Sequence, residues 1–478
     1  MIPLPSIFRI FNPAPCIHEI KDPQVVQKDY RYWRLRIFYS IYLGYMFYQL
    51  TRKSFCQSVE AIHADLGYSR ETLGWVSSTL FLSYGVSKFI SGILSDRCNS
   101  RYFMAVGLIC TGVLNFCLGV SSSLWLFVLL WALNGWFQGW GAAPCARLLT
   151  HWYPRQSRAR LWAIWTTSIQ AGVILLPLII GYSTEYLGWR FGLYIPGTLS
   201  LLMGFFLLNR LRDTPKSLGL PPIERFEGNH SSEGKGNESE AEVLTIRQLL
   251  FQYVLKNPLI WLLGFSFLFL YFVRMGLEGW SKSFLIGQKG YGEKTAGLCM
   301  SLSAFGGFFG PIVGAWISDT LLKGRRAPVF IFFTLFAFVS LSALWLVPHI
   351  RDVSLLSPGR RLFFPNGLVI HSFLIDAAIL ALINFFIMCP QALIGLTATE
   401  ISHKKAAGTA NGFVGTFAYV GSTMAGGPLG RTIDQDASFN GLIIHLMTAA
   451  LMATLLLLPL WKFESRKKWI HEEGANHV

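Results

Sequence analysis

Apolar runs of about 20 residues, the length an α-helix needs to cross roughly 30 Å of hydrocarbon, recur along almost the whole chain. They lie near 35–62, 71–94, 102–120, 124–149, 159–183, 191–209, 258–286, 294–318, 327–348, 369–400, 406–430 and 439–461. Short polar breaks separate them, so the pattern predicts an all-α polytopic membrane protein with 12 transmembrane helices. One long polar stretch, 210–257, divides the helices six and six. That stretch, which includes the low-complexity run from Glu227 to Glu240, has the composition of a flexible linker. The expected organisation is an N-terminal segment 1–34, a six-helix bundle 35–209, a linker 210–257, a second six-helix bundle 258–461 and a tail 462–478.

Composition agrees and narrows the choice. The chain is 52% hydrophobic and 14% charged, where a soluble domain carries about 25% charged residues. Its eight cysteines form no C-x-x-C pair and stand beside no histidine cluster, so they read as small buried apolar residues with no disulfide framework and no metal site. The formal charge of +15 would point to nucleic acid in a soluble protein. Here Lys and Arg fall in the loops on the side of both termini at roughly three to one, the bias of cytoplasmic loops in membrane proteins. The surplus therefore sets topology, with both termini cytoplasmic; the lipid bilayer is the expected partner and nucleic acid is not. Arg9, Asp22 and Asp29 precede the first apolar run, which is not the form of a cleavable signal peptide.

The two halves repeat. Gly92-Ile-Leu-Ser-Asp96-Arg97 closes the second span, and Ala315-Trp-Ile-Ser-Asp319, followed by Lys323-Gly-Arg325-Arg326, closes the eighth. Counting back 44 residues from Asp96 reaches Arg52, and 45 from Asp319 reaches Arg274. The two arginines thus occupy corresponding first helices, as parallel repeats require. A plain capped turn would account for each loop; the doubled pattern points to a charge-paired latch of Gly92, Asp96, Arg97, Asp319, Arg325 and Arg326. Twelve spans, a central linker and this doubled loop resemble the major facilitator superfamily, which implies its fold of two six-helix bundles.

A charge at mid-membrane costs about 2.5–3.5 kcal/mol on insertion scales, so one that persists usually serves a cavity. The expected cavity cations are Arg52, Lys53, Lys88 and Arg274. Acids within the spans are Glu278, one turn beyond Arg274 and able to pair with it, together with Asp376 and Glu400. Excess positive charge calls for an anion, and the planar fork of arginine suits phosphate oxygens bidentately. Arg52 and Arg274, from opposite halves, are expected to clamp a phosphoryl group. Tyr45 and Tyr48 share a helix face with Arg52, and Tyr84 stands one turn before Lys88, so these could hydrogen-bond substrate while packing as an aromatic wall. Trp165 and Gln170 in the fifth span are further candidates.

Several strings are more specific. Arg52-Lys-Ser-Phe55, Tyr84-Gly-Val-Ser-Lys88, Gly135-Trp-Phe-Gln138-Gly139 with Pro144-Cys-Ala-Arg147, the segment Arg212 to Glu224, and Lys404 to Ala410 resemble the organophosphate:phosphate antiporter family, which includes glycerol-3-phosphate and hexose-6-phosphate transporters. The resemblance implies that Arg52 and Arg274 are the essential pair and that Tyr45, Lys53, Tyr84 and Lys88 line the cavity. It implies a monomer without cofactor, in a bacterial inner membrane, exchanging a hexose phosphate for inorganic phosphate and catalysing no bond cleavage. Two positions depart from the family: Ile169 stands where it often has a histidine, and Gly279 where it has an acid. A glycerol-3-phosphate antiporter and a membrane sensor of hexose phosphate that signals to a partner kinase remain the alternative readings.

Overall fold

The computed structural model describes residues 10–475 apart from 16, 227–253, 323–324, 352–360, 364–368, 402–406 and 437–438. The low-complexity run and residues 404–406 of the Lys404 to Ala410 string therefore lie outside the described residues.

Among the described residues, helical rods match the twelve expected spans one for one. The first half holds Pro23–Leu66, Arg70–Arg97, Ser100–Val120, a broken fourth rod of Leu124–Gln138 and Ala142–Trp152, then Arg155–Leu187 and Phe191–Arg210. The second half holds Pro258–Gly287, Glu293–Trp316 with a π-helical end Ile317–Leu321, Ala327–Arg351, Ser372–Ile401, a broken eleventh rod of Ala407–Met424 and Gly427–Asp436, and Asn440–Ala475. Eight helices are long and apolar enough to cross a membrane. The first and second rods fall short because of the cations and hydroxyl residues they carry, and the fourth and eleventh because each is interrupted.

Helix starts follow from local chemistry. The Asp22 carboxylate accepts from the Gln24 backbone N–H at 2.9 Å, Asn99 caps the third rod through Arg101 N–H, and Asn257 caps the seventh with Pro258 at its first position. Backbone hydrogen bonding carries the first and twelfth rods past their apolar windows, so parts of the expected terminal segments 1–34 and 462–478 are helix. A small antiparallel hairpin, Arg361–Phe363 with Val369–His371, is a minor exception to the all-α expectation.

The chain forms two compact units, but they do not divide at the linker alone. Unit 1 is Met1–Phe55, Leu82–Ser183 and Leu187–Glu242; unit 2 adds Cys56–Phe81 and Thr184–Tyr186 to Val243–Val478. The expected bundles 35–209 and 258–461 are thus redrawn. Residues 56–81 join unit 2 through close backbone packing: a Cβ on Gly74 would meet the Gly426 carbonyl oxygen at 2.6 Å, Ser78 Oγ donates to the Thr423 carbonyl at 2.7 Å, and Arg70 pairs with both Glu60 and Asp434.

Within unit 1 the reading of all of 210–257 as flexible linker is corrected for its first part. Pro215–Leu218 and Ile223–Phe226 are helical turns, Ile17 and Ile20 donate to the carbonyls of Lys216 and Gly219, and buried Asp213 accepts from Ser100 N–H at 3.0 Å while pairing with Arg147 at 3.4 Å. Apolar Leu211, Leu220 and Ile223 enter the core beside Trp152 and Leu148. Polar composition misled here because the segment folds through side-chain acceptors and a few anchors.

Within unit 2 the eighth and tenth rods pack through a small-residue stripe. A Cβ on Gly306 or Gly310 would collide with the carbonyl oxygens of Ala381 or Phe385, and one on Gly314 with Cys389 Sγ. In lipid such close approach is a main source of helix association. Gly310→Leu should therefore block this packing: the variant is expected to lose its monodisperse peak in detergent, whereas Leu at Gly412, whose Cβ would meet open space, should leave it.

Candidate functional site

In unit 1, Arg52 sits on the first rod. Its Nε donates to Gln138 Oε1 at 3.2 Å, its guanidinium carbon lies 4.5 Å from the Tyr84 ring centroid and 6.0 Å from that of Tyr45, and Tyr45 packs against Trp165 at 4.6 Å. Four expected residues, Arg52, Tyr45, Tyr84 and Trp165, are thus brought together from three rods as a cation walled by aromatic faces. Lys88, one turn beyond Tyr84, is exposed, while Lys53 and Gln170 are half-buried. Ile169 packs partly buried against the apolar core.

Tyr48 departs from expectation. It is wholly buried and its hydroxyl donates to the Met104 carbonyl at 2.8 Å, in the space left by Gly107, where a Cβ would strike that hydroxyl. Its polar atom is taken up between helices.

A polar cluster that sequence reasoning missed lies behind Arg52. Gln138 Nε2 donates to Thr51 Oγ1 at 3.0 Å, Asn134 Nδ2 donates to the Thr51 carbonyl at 2.8 Å, the hydroxyls of Thr51 and Thr111 are 3.2 Å apart, and Ser54 donates to Asn115 Oδ1. All six side chains are buried. The available signal was spacing: Asn134 and Gln138, like Thr111 and Asn115, stand one helical turn apart within apolar runs.

In unit 2, the pair read from i,i+4 spacing forms. Arg274 Nε lies 3.1 Å from Glu278 Oε1, with both side chains largely buried. The Tyr271 ring centroid is 5.7 Å from the Arg274 guanidinium carbon, and the Tyr271 hydroxyl accepts from Gln391 Nε2 at 2.9 Å. A further buried cation stands beside the four expected ones. Lys282, two turns beyond Arg274, is buried; it pairs with Glu293 at 2.5 Å and donates to the Gln57 carbonyl at 2.8 Å. It lies within the apolar window 258–286 but is not among the cations expected from the sequence. Buried Asp376 pairs with Lys289 at 3.4 Å and accepts from the Tyr291 hydroxyl at 2.6 Å. At Gly279 a Cβ would meet open space.

The latch residues are seen in part. The side chains of Asp96 and Arg97 lie outside the described residues; Gly92 has room around it, Asp319 is exposed in the π-turn, and the Arg325 guanidinium lies 5.9 Å from the Trp461 ring centroid. The loop after the second rod is held instead by Arg147, whose NH1 donates to the carbonyls of Ser95 and Cys98. Residues 41–426 match the Major Facilitator Superfamily.

The chain belongs to the Major Facilitator Superfamily. Sequence relatives within it include a probable hexose phosphate transport protein of Chlamydia trachomatis serovar D, 47% identical over 460 residues that cover 95% of this chain and 96% of the relative. The membrane sensor protein UhpC of Escherichia coli K12 is 40% identical, covering 92% and 94%. The glycerol-3-phosphate transporter of Bacillus subtilis is 33% identical, covering 97% and 100%. The crystal structure of a bacterial homolog of the lysosomal transporter Spinster shares the fold with a TM-score of 0.64 at 16% identity, covering 90% and 95%. As a facilitator-superfamily protein the chain is an integral multi-pass membrane transporter and not an enzyme.

Proposed function

We propose that the chain takes up a hexose phosphate in exchange for inorganic phosphate by alternating access, as a monomer in a bacterial inner membrane with both termini cytoplasmic. The observation that carries this reading is the matched pair Arg52 and Arg274. Each stands on the first helix of its half, is held at Nε by a side-chain oxygen, and faces tyrosine. Two guanidinium groups with their planar forks suit the oxygens of a phosphoryl group, which the substrates named for the chlamydial and Bacillus relatives share. Tyr45, Tyr84, Trp165, Lys53, Lys88 and Gln170 contribute the remaining contacts. The latch of Gly92, Asp96, Arg97, Asp319, Arg325 and Arg326 serves the switch between inward and outward openings.

Purified protein in phosphate-loaded liposomes, challenged with unlabelled hexose phosphates, glycerol 3-phosphate and free hexose, should release phosphate to hexose phosphates and not to free hexose. Release by glycerol 3-phosphate alone would favour the second substrate class. The 40% identity to a membrane sensor keeps one rival reading; hexose phosphate that binds and stabilises the protein yet drives no exchange would favour it. An unloaded site retains its cations, which disfavours the empty switch. Net efflux into phosphate-free buffer should therefore run at least tenfold slower than exchange, and equal rates would defeat that coupling.

A further inference from the structure

We propose that Gln138 is a positioning residue that aims the Arg52 guanidinium. The proposal rests on the phosphate reading above. Gln138 reaches two consecutive residues of the first rod at once: Oε1 accepts from Arg52 Nε at 3.2 Å, and Nε2 donates to Thr51 Oγ1 at 3.0 Å. An amide has one acceptor end and one donor end. Arg52 Nε can only donate, so the amide turns its oxygen to the arginine and its NH2 to the Thr51 hydroxyl.

Thr51 is itself held. Its carbonyl accepts from Asn134 Nδ2 at 2.8 Å and from Asn115 Nδ2 at 3.3 Å, and its hydroxyl meets that of Thr111. Side chains of the third and fourth rods thus converge on the residue preceding Arg52, and all of them are buried, where hydrogen-bonded networks hold geometry tightly. A grip at Nε restrains rotation of the guanidinium plane, and that plane decides which way its terminal nitrogens face.

The second half supplies the contrast. Arg274 is gripped at the same nitrogen, at 3.1 Å, but by the Glu278 carboxylate.

Labelled-phosphate exchange in liposomes, with folded protein quantified, tests this. Gln138→Leu removes the grip and should raise KM for phosphate about tenfold while maximal exchange stays within about twofold, the signature of misaimed binding. Gln138→Glu keeps shape and acceptor but adds a negative charge beside Arg52, and should raise KM further. In an Arg52→Lys background, which has no guanidinium Nε, Gln138→Leu should change the residual exchange little. Wild-type KM in Gln138→Glu, or the same tenfold effect with and without Arg52, would overturn the proposal. Should the leucine variant fail to fold, the isosteric glutamate variant decides alone. Wild-type protein that exchanges no phosphate would instead defeat the proposed function.

Discussion

Arg52→Lys and Arg274→Lys should each lower phosphate exchange by about 100-fold, although both keep the positive charge. Lysine offers a compact ammonium on a flexible stem, whereas the guanidinium presents parallel N–H donors that match two phosphate oxygens. Losing one or two charge-assisted hydrogen bonds, each worth about 1.5–3 kcal/mol, gives a deficit of that size, since 1.4 kcal/mol is tenfold. The structure adds a second reason in each half. At position 52 the substitution also removes the Nε contact to Gln138 and the broad cation face over Tyr84; at position 274 it removes the Nε contact to Glu278. Initial rates of labelled-phosphate exchange per folded molecule are the measurement. Full exchange in both variants would mean that net charge alone binds the substrate and that the fork is irrelevant.

Much of this arrangement was legible in the sequence because membrane helices obey two strong rules, length and the cost of a buried charge. Those rules located the twelve rods, singled out Arg52 and Arg274, and paired Arg274 with Glu278 through one helical turn. What was not legible depends on contacts between helices. Tyr48 lies about 40° round the helix from Arg52, within a face that spacing alone treats as one; only the gap opposite Gly107 shows that it turns to the third rod. Gln138 sat inside a recognised string, but nothing local says that its amide reaches the first rod. Lys282 stands on the face of Arg274, eight residues on, but its pairing with Glu293 comes from the next rod, which spacing along one helix does not show. The breaks at 139–141 and 425–426 were read through as continuous helix, since their residues are as apolar or small as those of the helices they interrupt.

Asp376→Leu should cost about 3–5 kcal/mol of stability, the usual penalty when one partner of a buried ion pair is removed and the other charge remains. Asp376 is wholly buried in the tenth rod, Lys289 follows the seventh rod and is nearly as buried, and the Tyr291 hydroxyl donates to the same carboxylate. The loss should appear as a lower melting temperature and a smaller folded fraction in detergent. Lys289→Met combined with Asp376→Leu should recover most of it, because a pair replaced by apolar groups leaves no stranded charge. Arg274 and Glu278 form a comparable pair in the same unit, yet their side chains retain 12% and 13% exposure. Glu278→Gln keeps an acceptor for Arg274 Nε, so it should cost far less stability than Asp376→Leu and act on phosphate affinity instead. On the proposed function that difference would separate the two pairs by purpose: one carboxylate anchors a fold, and the other balances a cation that binds the substrate. Equal melting losses for Glu278→Gln and Asp376→Leu, with unchanged phosphate affinity in the former, would erase the distinction.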